Sequence, residues 1–297
     1  MQLCTSSWSQ ASSAQKEAPF HRCTLLAPFA WQNEHRFNDV KVDPKAHGDL
    51  LADIQRFRGA AYVADGAVSA DALTPDGRHL QTIDPDSWHF LIRNTEGEVI
   101  SCARYHAISN PTFDDTLTSR AAHAQSPEWQ TKVRLIVEDS IQLASRRGAN
   151  FAELGGWCVA PSSRNTSHAL RSVLHMYALG EILGGTVGLS TATTRHASSS
   201  ILQRLGASRA ELHGHPLPSY FDPTFNCHMD LLQFDSLRPA PKYAGHVTEY
   251  IAQMREQMQV VCGQPTLPTY AASLLALSNA LQPVTSALVG PRSLSLT

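Results

Sequence analysis

One carboxylate in an apolar segment is the first candidate for chemistry in this sequence. Glu153 lies in the segment 151–159, with Phe151, Leu154 and Trp157 as neighbours. Partly buried carboxylates among apolar residues are typical general bases, which accept a proton from a reacting group. The sequence therefore indicates Glu153 as a candidate base; the alternative is a glutamate on the solvent-exposed face of a strand.

The polar turn that follows this segment is a candidate anion site. Pro161 ends the strand, because proline cannot donate a ladder hydrogen bond, and residues 162–168 are small and polar. The first amides of the next helix have no partner within the helix, so they point beyond the turn. Arg164 adds a guanidinium group whose geometry matches phosphate oxygens. An ordinary strand–helix connection with a capped helix is the alternative.

Two strand–helix units must position these residues. Apolar spacing predicts a strand over 151–159, a helix over 169–183, a second buried strand over 186–192 and a helix over 196–205. Glycines at the ends of both helices are typical terminators.

Upstream segments supply a helix over 47–66 and a hairpin of strands at 88–93 and 99–108. Arg104 lies within the second of these strands among apolar neighbours. A buried charge must be paired or face a pocket, because burying it alone is too costly. Both a structural ion pair, with a partner such as Glu153, and a place in a substrate cavity remain open.

The remaining segments complete the division of the chain. Helices are predicted over 126–147, 246–261 and 271–281, and a last strand over 227–234. We divide the chain into an N-terminal arm (1–47), a central domain (48–236) and a helical C-terminal extension with a tail (237–297).

Composition restricts the class of protein. The chain has 297 residues, 42% of them hydrophobic, which suffices for a sizeable core, and its net charge of -2 does not favour nucleic acid as a partner. No apolar run is long enough for a membrane span, and the N-terminus shows no secretory signal. Six scattered cysteines lack metal-ligand spacing. Buried free thiols fit a reducing compartment, so we expect a cytoplasmic protein without a metal.

Four segments together resemble one superfamily. Residues 164–169 resemble the pyrophosphate loop of the GNAT acyltransferases, with Ser167 where glycine is usual, and residues 195–207 resemble the next GNAT signature. Residues 99–105 and 153–159 resemble the branch of acyl-homoserine-lactone synthases and N-acyl amino acid synthases, which move acyl groups from acyl carrier protein to an amine. The resemblance covers about residues 56–235. It departs at Gly156, where the synthases usually carry arginine.

The resemblance implies a GNAT fold, that is, an α/β protein with a central twisted mixed β-sheet and helices on both faces. Two central parallel strands splay apart in this fold and admit the pantetheine arm of acyl-CoA or of an acyl carrier protein. The backbone of Trp157, Cys158 and Val159 would bind this arm, with the Val159 amide as the oxyanion donor. The phosphate would be bound by the loop residues Arg164, Asn165, Thr166, Ser167, His168 and Ala169.

The resemblance also implies roles in catalysis. Glu153 stands where the synthases carry their glutamate, which makes it the implied general base. GNAT enzymes often use a tyrosine of the second helix as the general acid, and that helix has none here. Ser198 or His196 could substitute, or no acid is required, because thiolates leave readily.

Residues on the acceptor side follow from the same resemblance. The family has acidic residues before the hairpin that face the acceptor, which implies this role for Asp84 and Asp86; a solvated Asp-Pro turn is the alternative. Arg104 would lie at the substrate cavity. Arg58 and Tyr62 fit the arginine and aromatic residue of the first helix.

These observations predict an N-acyltransferase that uses acyl-CoA or acyl carrier protein as co-substrate and a small, amino-acid-like amine as acceptor. Two other functions remain open. The first is a non-catalytic GNAT-like acyl-CoA-binding module, which Ser167 and the missing tyrosine favour. The second is a protein or peptide N-acetyltransferase.

Overall fold

The computed structural model describes residues 22–32, 35–164 and 166–264. The helices are α1 (Pro44–Ala64), α2 (Gln130–Arg146), α3 (His168–Ile182), α4 (Ser198–Leu205) and α5 (Ala244–Glu256). The strands are β1 (Arg22–Leu26), β2 (Val40–Val42), β3 (Trp88–Arg93), β4 (Val99–Ile108), β5 (Asn150–Val159), β6 (Thr186–Thr193), β7 (Ser208–Arg209), β8 (Glu211–Leu212), β9 (His215–Pro216), β10 (Tyr220–Asp222), β11 (Cys227–Asp235) and β12 (Gln259–Cys262). The helix predicted over 271–281 lies outside the described residues.

One mixed sheet organises the described residues. Its strand order is β10-β11-β6-β5-β4-β3-β1-β12-β2, β7 also pairs with β11, and β8 and β9 form a separate hairpin. β5 pairs with β6 in parallel, as do β1 with β12 and β12 with β2, whereas β3, β4 and β11 form antiparallel pairs. Among the helices of the described residues, none has the length and apolarity that crossing a bilayer requires.

The alternation of side chains along β5 explains why helices cover both faces of the sheet. Ala152 and Leu154 pack in a cluster with residues of α3, including Val173. Phe151, which points to the opposite face, packs in a second cluster with Val133 of α2. The predicted fold class, an α/β protein with a mixed sheet between helices, is confirmed.

The parallel strands β5 and β6 separate halfway along their length. Their pairing runs from Asn150 opposite Thr186 to Glu153 opposite Leu189. Beyond that point β5 continues to Val159 and β6 to Thr193 without further pairing between them. The predicted splayed strand pair is therefore present.

A β-bulge lies where β5 leaves β6. Arg104 pairs with Gly155 and Cys102 with Cys158, so two residues of β5 stand opposite the single residue Ala103 of β4. Gly156, one of the two, has a φ of 59°, in the left-handed region that favours glycine. Because a bulge bends and twists its strand, it accounts for the separation of β5 from its parallel neighbour.

Strands from both predicted extensions join this sheet. β1 and β2 come from the predicted N-terminal arm and β12 from the predicted C-terminal extension, and β12 lies between the other two. Strands from all three predicted segments, which meet at residues 47 and 236, therefore belong to one sheet. The helix predicted over 246–261 is wrong at its end, because α5 stops at Glu256 and residues 259–262 form β12, which pairs with strands on both sides.

His175 of α3 is a buried, uncharged group in the core. Its ring stacks between Phe90 and Tyr250, with centroid distances of 4.2 and 4.0 Å. Its Nδ1 donates to the Arg171 carbonyl at 2.7 Å, while Nε2 is buried without a partner within residues 22–32, 35–164 and 166–264. Burial lowers the pKa of His175 to about 3, although the bond to the Arg171 carbonyl acts in the opposite direction.

We expect His175→Phe to make the free energy of unfolding less sensitive to acid. An unfolded histidine has a pKa of about 6.5, so the contribution of the neutral buried ring is complete above that pH and declines as the pH falls. Wild type should lose up to about 2 kcal/mol from this residue between pH 7 and pH 5, and the variant should lack this loss. Urea denaturation at the two pH values measures the difference. His246→Gln, at an exposed position of α5, serves as the control and should keep the wild-type slope; an equal slope in His175→Phe would contradict the prediction.

Candidate functional site

A cavity of about 760 Å³ opens where β5 and β6 separate. Its walls come from α1, the loop after α1, the facing edges of β5 and β6, and α4. Sequence-predicted residues that line it are Tyr62, Arg104, Glu153, Trp157, Cys158, Val159, Arg164, Ala169 and Ser198. The separation of the strands therefore brings most of the predicted site to one place.

The edge of β5 that faces the cavity offers backbone groups. The Ala160 amide donates to the Ile100 carbonyl of β4 at 2.8 Å. Because amides of an antiparallel strand alternate between its two edges, the Val159 amide points to the opposite edge, which β6 no longer covers. An extended ligand could pair with this edge as an added strand.

Trp157 is held in place against the start of α3. Its indole Nε1 donates to Ser172 Oγ at 3.1 Å, and Ser101 Oγ donates to the same hydroxyl at 3.2 Å. Ser172 in turn donates to the His168 carbonyl at 3.1 Å. These bonds connect β4, β5 and α3, so this wall of the cavity is fixed.

Glu153 is buried, and three hydrogen bonds fix its carboxylate. Oε2 accepts from the Leu117 amide at 2.5 Å, and Oε1 accepts from the Thr118 amide at 2.8 Å and the Thr118 hydroxyl at 2.6 Å. Glu153, Leu117 and Thr118 all line the cavity. Neither loop residue was identified from the sequence, where the polar segment around Thr118 carries no distinctive pattern.

Asp84 is the centre of a buried ion cluster. Its carboxylate accepts two bonds from Arg58, at 3.0 and 2.5 Å, and one from Arg104 at 3.0 Å. The Gln55 side chain and the Gln81 amide each donate to it at 3.1 Å. Burial raises the pKa of Asp84, but the bonds and charge of Arg58 and the charge of Arg104 outweigh it, so the pKa lies well below its usual range.

The cluster corrects two expectations from the sequence. Arg104 pairs with Asp84 and not with Glu153. Asp84 does not line the cavity; it holds the arginine that does, whereas Asp86, two residues further, is exposed and lies outside the cavity lining. The Asp-Pro turn therefore carries one buried carboxylate, Asp84, and one exposed carboxylate, Asp86.

Arg104 is the positively charged member of this cluster that lines the cavity. The side chain is buried, and its Nη1 donates to the Gln81 side chain and to Asp84. Its Nε has no hydrogen-bond partner among the residues that the structure describes. Burial, and then the charge of Arg58, lower the pKa of Arg104, yet arginine stays protonated in proteins. Two guanidinium groups share one carboxylate, so the cluster has one net positive charge.

Neighbouring histidines leave that charge unchanged. Burial, and then the charge of Arg58, lower the pKa of His79 to about 4, and burial lowers the pKa of His89 to about 3. Both rings are therefore neutral near pH 7. The cavity wall formed by Arg104 and His79 consequently favours an anionic group.

Gly156 lies beside these arginines. A Cβ atom at this position would lie 3.3 Å from Arg104 Cβ and 3.4 Å from Arg58 Nη1. The resembling synthases usually carry arginine at the corresponding position. Here the guanidinium of Arg58 lies next to the point where that side chain would begin.

The predicted phosphate loop lies at one end of the cavity. Of its described residues, Arg164 and Ala169 line the cavity, whereas Thr166 and Ser167 are exposed and His168 is buried outside the lining. Asn165 lies outside the described residues. Ala169 belongs to the first turn of α3, where amides have no carbonyl partner within the helix. The Arg164 guanidinium donates to Asp65 at 2.8 Å.

The β6–α4 connection supplies the last predicted residues. Ser198 is the first residue of α4, and it lines the cavity together with His196. Within the described residues, no group of three or more His, Cys, Asp or Glu side chains is arranged to hold a metal ion.

Comparison with solved structures finds acyltransferases. BjaI, a CoA-dependent acyl-homoserine lactone synthase solved with SAM and isopentyl-CoA, has a TM-score of 0.49 and 14% identity over 86% of this chain and 100% of its own. MesI, another CoA-dependent acyl-homoserine lactone synthase, has a TM-score of 0.46 and 15% identity over 78% and 95%. FeeM, an N-acyl amino acid synthase from uncultured soil microbes, has a TM-score of 0.42 and 12% identity over 73% and 92%.

No protein-family model matches the chain, and no curated protein matches it.

Proposed function

We propose that this protein is an N-acyltransferase that moves an acyl group from a pantetheine thioester to the amine of a small acceptor. The cavity between β5 and β6 carries the proposal, because it exposes an unpaired strand edge between Glu153 and the turn at Arg164. A pantetheine arm has amide groups that would pair with this edge. Its phosphate would then lie at Arg164 and its thioester near Val159.

The arrangement supports attack of an amine on the thioester carbonyl. In this reaction the amine nitrogen forms a bond to the carbonyl carbon, and the oxygen becomes an oxyanion that the Val159 amide would stabilise. Glu153 lies six residues before Val159 along β5, so it would take the proton that the amine loses through a chain of water molecules. Collapse of the intermediate breaks the carbon–sulfur bond and releases the thiolate, which would take a proton from the Ser198 hydroxyl of α4 or from water. Holding both substrates in one cavity supplies much of the rate.

The buried ion cluster supports an acceptor with a carboxylate. Arg58, Arg104 and Asp84 together carry one net positive charge, and Arg104 Nε is buried without a partner in the described part of the chain. An unpaired buried donor is costly, and a carboxylate of the acceptor would satisfy it. We therefore propose an amino acid, or a molecule like one, as the acceptor.

The donor is either acyl-CoA or an acyl carrier protein. Both present the same phosphopantetheine arm, and the residues that would contact this arm are those of β5 and the turn at Arg164.

A thiol-release assay tests the proposed function. Acyl-CoA and acyl carrier protein loaded with short, medium and long chains are each incubated with pairs of amines that differ only in a carboxylate, such as leucine with 3-methylbutylamine and tyrosine with tyramine. We expect thiol release with an amino acid and little with its decarboxylated partner. Equal rates within every pair would contradict the acceptor class.

A non-catalytic module that binds acyl-CoA is the second candidate. It is favoured by Ser167 at the usual glycine position and by the absence of tyrosine from α4. Calorimetric binding of acyl-CoA without thiol release for any amine would support this candidate against the enzyme.

A further inference from the structure

Three segments meet where the predicted phosphate turn reaches the cavity: the end of α1, the β5–α3 turn and the β6–α4 connection. Asp65, Arg164 and His196, one from each segment, all line the cavity. We call these three residues the Asp65 cluster. Asp65 was not singled out from the sequence, where it is one acidic residue before Gly66 at the end of a helix.

The carboxylate of Asp65 is paired with Arg164, the cation that would bind the donor phosphate. Asp65 Oδ1 accepts from Arg164 Nη2 at 2.8 Å and lies 3.4 Å from His196 Nε2. Arg195 donates to the Asp65 carbonyl and, at 2.8 Å, to the Asn226 carbonyl. Asp65 thus joins the end of α1 to both turns.

Backbone geometry indicates that these contacts hold the β6–α4 connection. His196 and Ala197 have φ values of 53° and 58°, in the left-handed region that residues with a Cβ atom rarely adopt. Such conformations persist where surrounding contacts impose them. The bond of Arg195 to the Asp65 carbonyl and the approach of His196 Nε2 to the Asp65 carboxylate at 3.4 Å are contacts of this kind.

A phosphate group has the chemistry to replace Asp65. The side chains of Arg164, His196 and Asp65 are 36%, 51% and 25% exposed, so water and ions reach the ion pair. A phosphate presents several charged oxygens to the guanidinium fork, whereas Asp65 uses one oxygen for both of its partners. Nearby Arg195 adds a further positive charge for a phosphate. Its bond to Asp65 goes to the backbone carbonyl and not to the carboxylate.

We propose that Asp65 is an internal competitor for the phosphate of the pantetheine donor. In the unliganded protein its carboxylate neutralises Arg164, and the donor phosphate must displace it to bind. Asp65 thereby sets the affinity for the donor. This inference rests on the proposed function, in which Arg164 binds that phosphate.

Calorimetric titration of four variants tests the proposal. Coenzyme A and 4′-phosphopantetheine are titrated into wild type, Asp65→Asn, Arg164→Ala and the double variant, so that the nucleotide part is distinguished from the shared phosphate. Asp49→Asn is the matched control, because Asp49 is an exposed acidic residue of α1, the helix that Asp65 follows, and it is ion-paired to Lys45 at 2.6 Å outside the cavity lining.

We expect Asp65→Asn to lower the Kd for both ligands about threefold to fivefold, since exposed ion pairs of this kind are weak. Arg164→Ala should raise both Kd values, and the Asp65 substitution should have no effect in the Arg164→Ala background, because the two changes act on one contact. The increase in affinity caused by Asp65→Asn should be smaller at high salt, which screens exposed charges. Asp49→Asn should match wild type.

Two results would overturn the inference in distinguishable ways. If wild type binds the ligands and Asp65→Asn binds them equally or more weakly, Asp65 holds Arg164 in position and does not compete. If the Asp65 substitution tightens binding to the same extent in the Arg164→Ala background, the effect does not pass through Arg164. Absence of binding by every variant would instead remove the pantetheine donor itself, and the proposed function with it.

Discussion

The Asp84→Asn variant is expected to lose about 3–5 kcal/mol of its free energy of unfolding. Asp84 accepts bonds from two guanidinium groups, and the side chains of Asp84 and Arg58 are fully buried. Removing the carboxylate leaves two positive charges in the core without a counter-charge, and this is far more costly than losing a surface ion pair. Urea denaturation followed by circular dichroism measures the loss.

Asp86→Asn is the matched control for this prediction. Asp86 belongs to the same short turn but is exposed, so its substitution should change the free energy of unfolding by less than about 0.5 kcal/mol. Similar stabilities for the two variants would show that the buried cluster does not depend on Asp84.

The pH dependence of Asp84 provides a second measurement. Its folded pKa is depressed, so its contribution to stability is complete above the unfolded pKa of about 4 and is lost as the pH falls below it. Wild type should therefore lose stability on acidification in this range, and Asp84→Asn should lose less. A steeper acid loss in the variant would contradict the assigned direction.

The Glu153→Gln variant is expected to reduce kcat about a hundredfold while the Kd for the donor stays the same. An amide cannot accept the proton of the attacking amine, yet it keeps nearly the same shape. The donor would contact the backbone of β5 and the turn at Arg164, which this substitution does not change. Thiol release under saturating donor measures kcat, and calorimetry with coenzyme A measures binding.

Thr118→Val separates the chemical role of Glu153 from its placement. Valine removes one of the three hydrogen bonds to the carboxylate but retains the carboxylate and the volume of the side chain. We expect kcat to fall less than about tenfold, because a neutral hydrogen bond contributes about 1 kcal/mol. Full activity of Glu153→Gln at every pH would remove Glu153 from the mechanism. Equal losses in the two variants would indicate that Glu153 acts through the loop at Thr118.

The local pattern of apolar residues was sufficient to predict the helix and strands that form the cavity. The strand predicted over 151–159 is β5, the helix over 169–183 is α3, and the strand over 186–192 is β6, each within about two residues. Period-2 and period-3.6 spacing of apolar residues, with proline and glycine at the ends, specifies such elements without distant information. The bulge in β5 falls at the Gly155–Gly156 pair, because few residues other than glycine adopt the backbone conformation of Gly156.

The terminal strands could not be predicted from the local pattern of apolar residues. The sequence pattern predicts Val260 and Val261 within a helix, yet they lie in β12 because β1 and β2 offer partners on both sides. Short apolar runs are compatible with either structure, so the pairing partners decide between them. Those partners lie more than 200 residues earlier in the chain.

Charged side chains show the same limit more clearly. Their types and approximate positions, Arg104 in a strand and Asp84 in a turn, follow from the sequence alone. Their partners do not, because Arg104 meets Asp84 across 20 residues, Glu153 meets Leu117 across 36 and Arg164 meets Asp65 across 99. A buried charge requires a partner, but its identity depends on which loops the sheet brings together. The amino-acid pattern thus determines that this chain builds a split sheet with charged groups beside the gap, and the folded arrangement determines which of those charges compensate one another and which face a ligand.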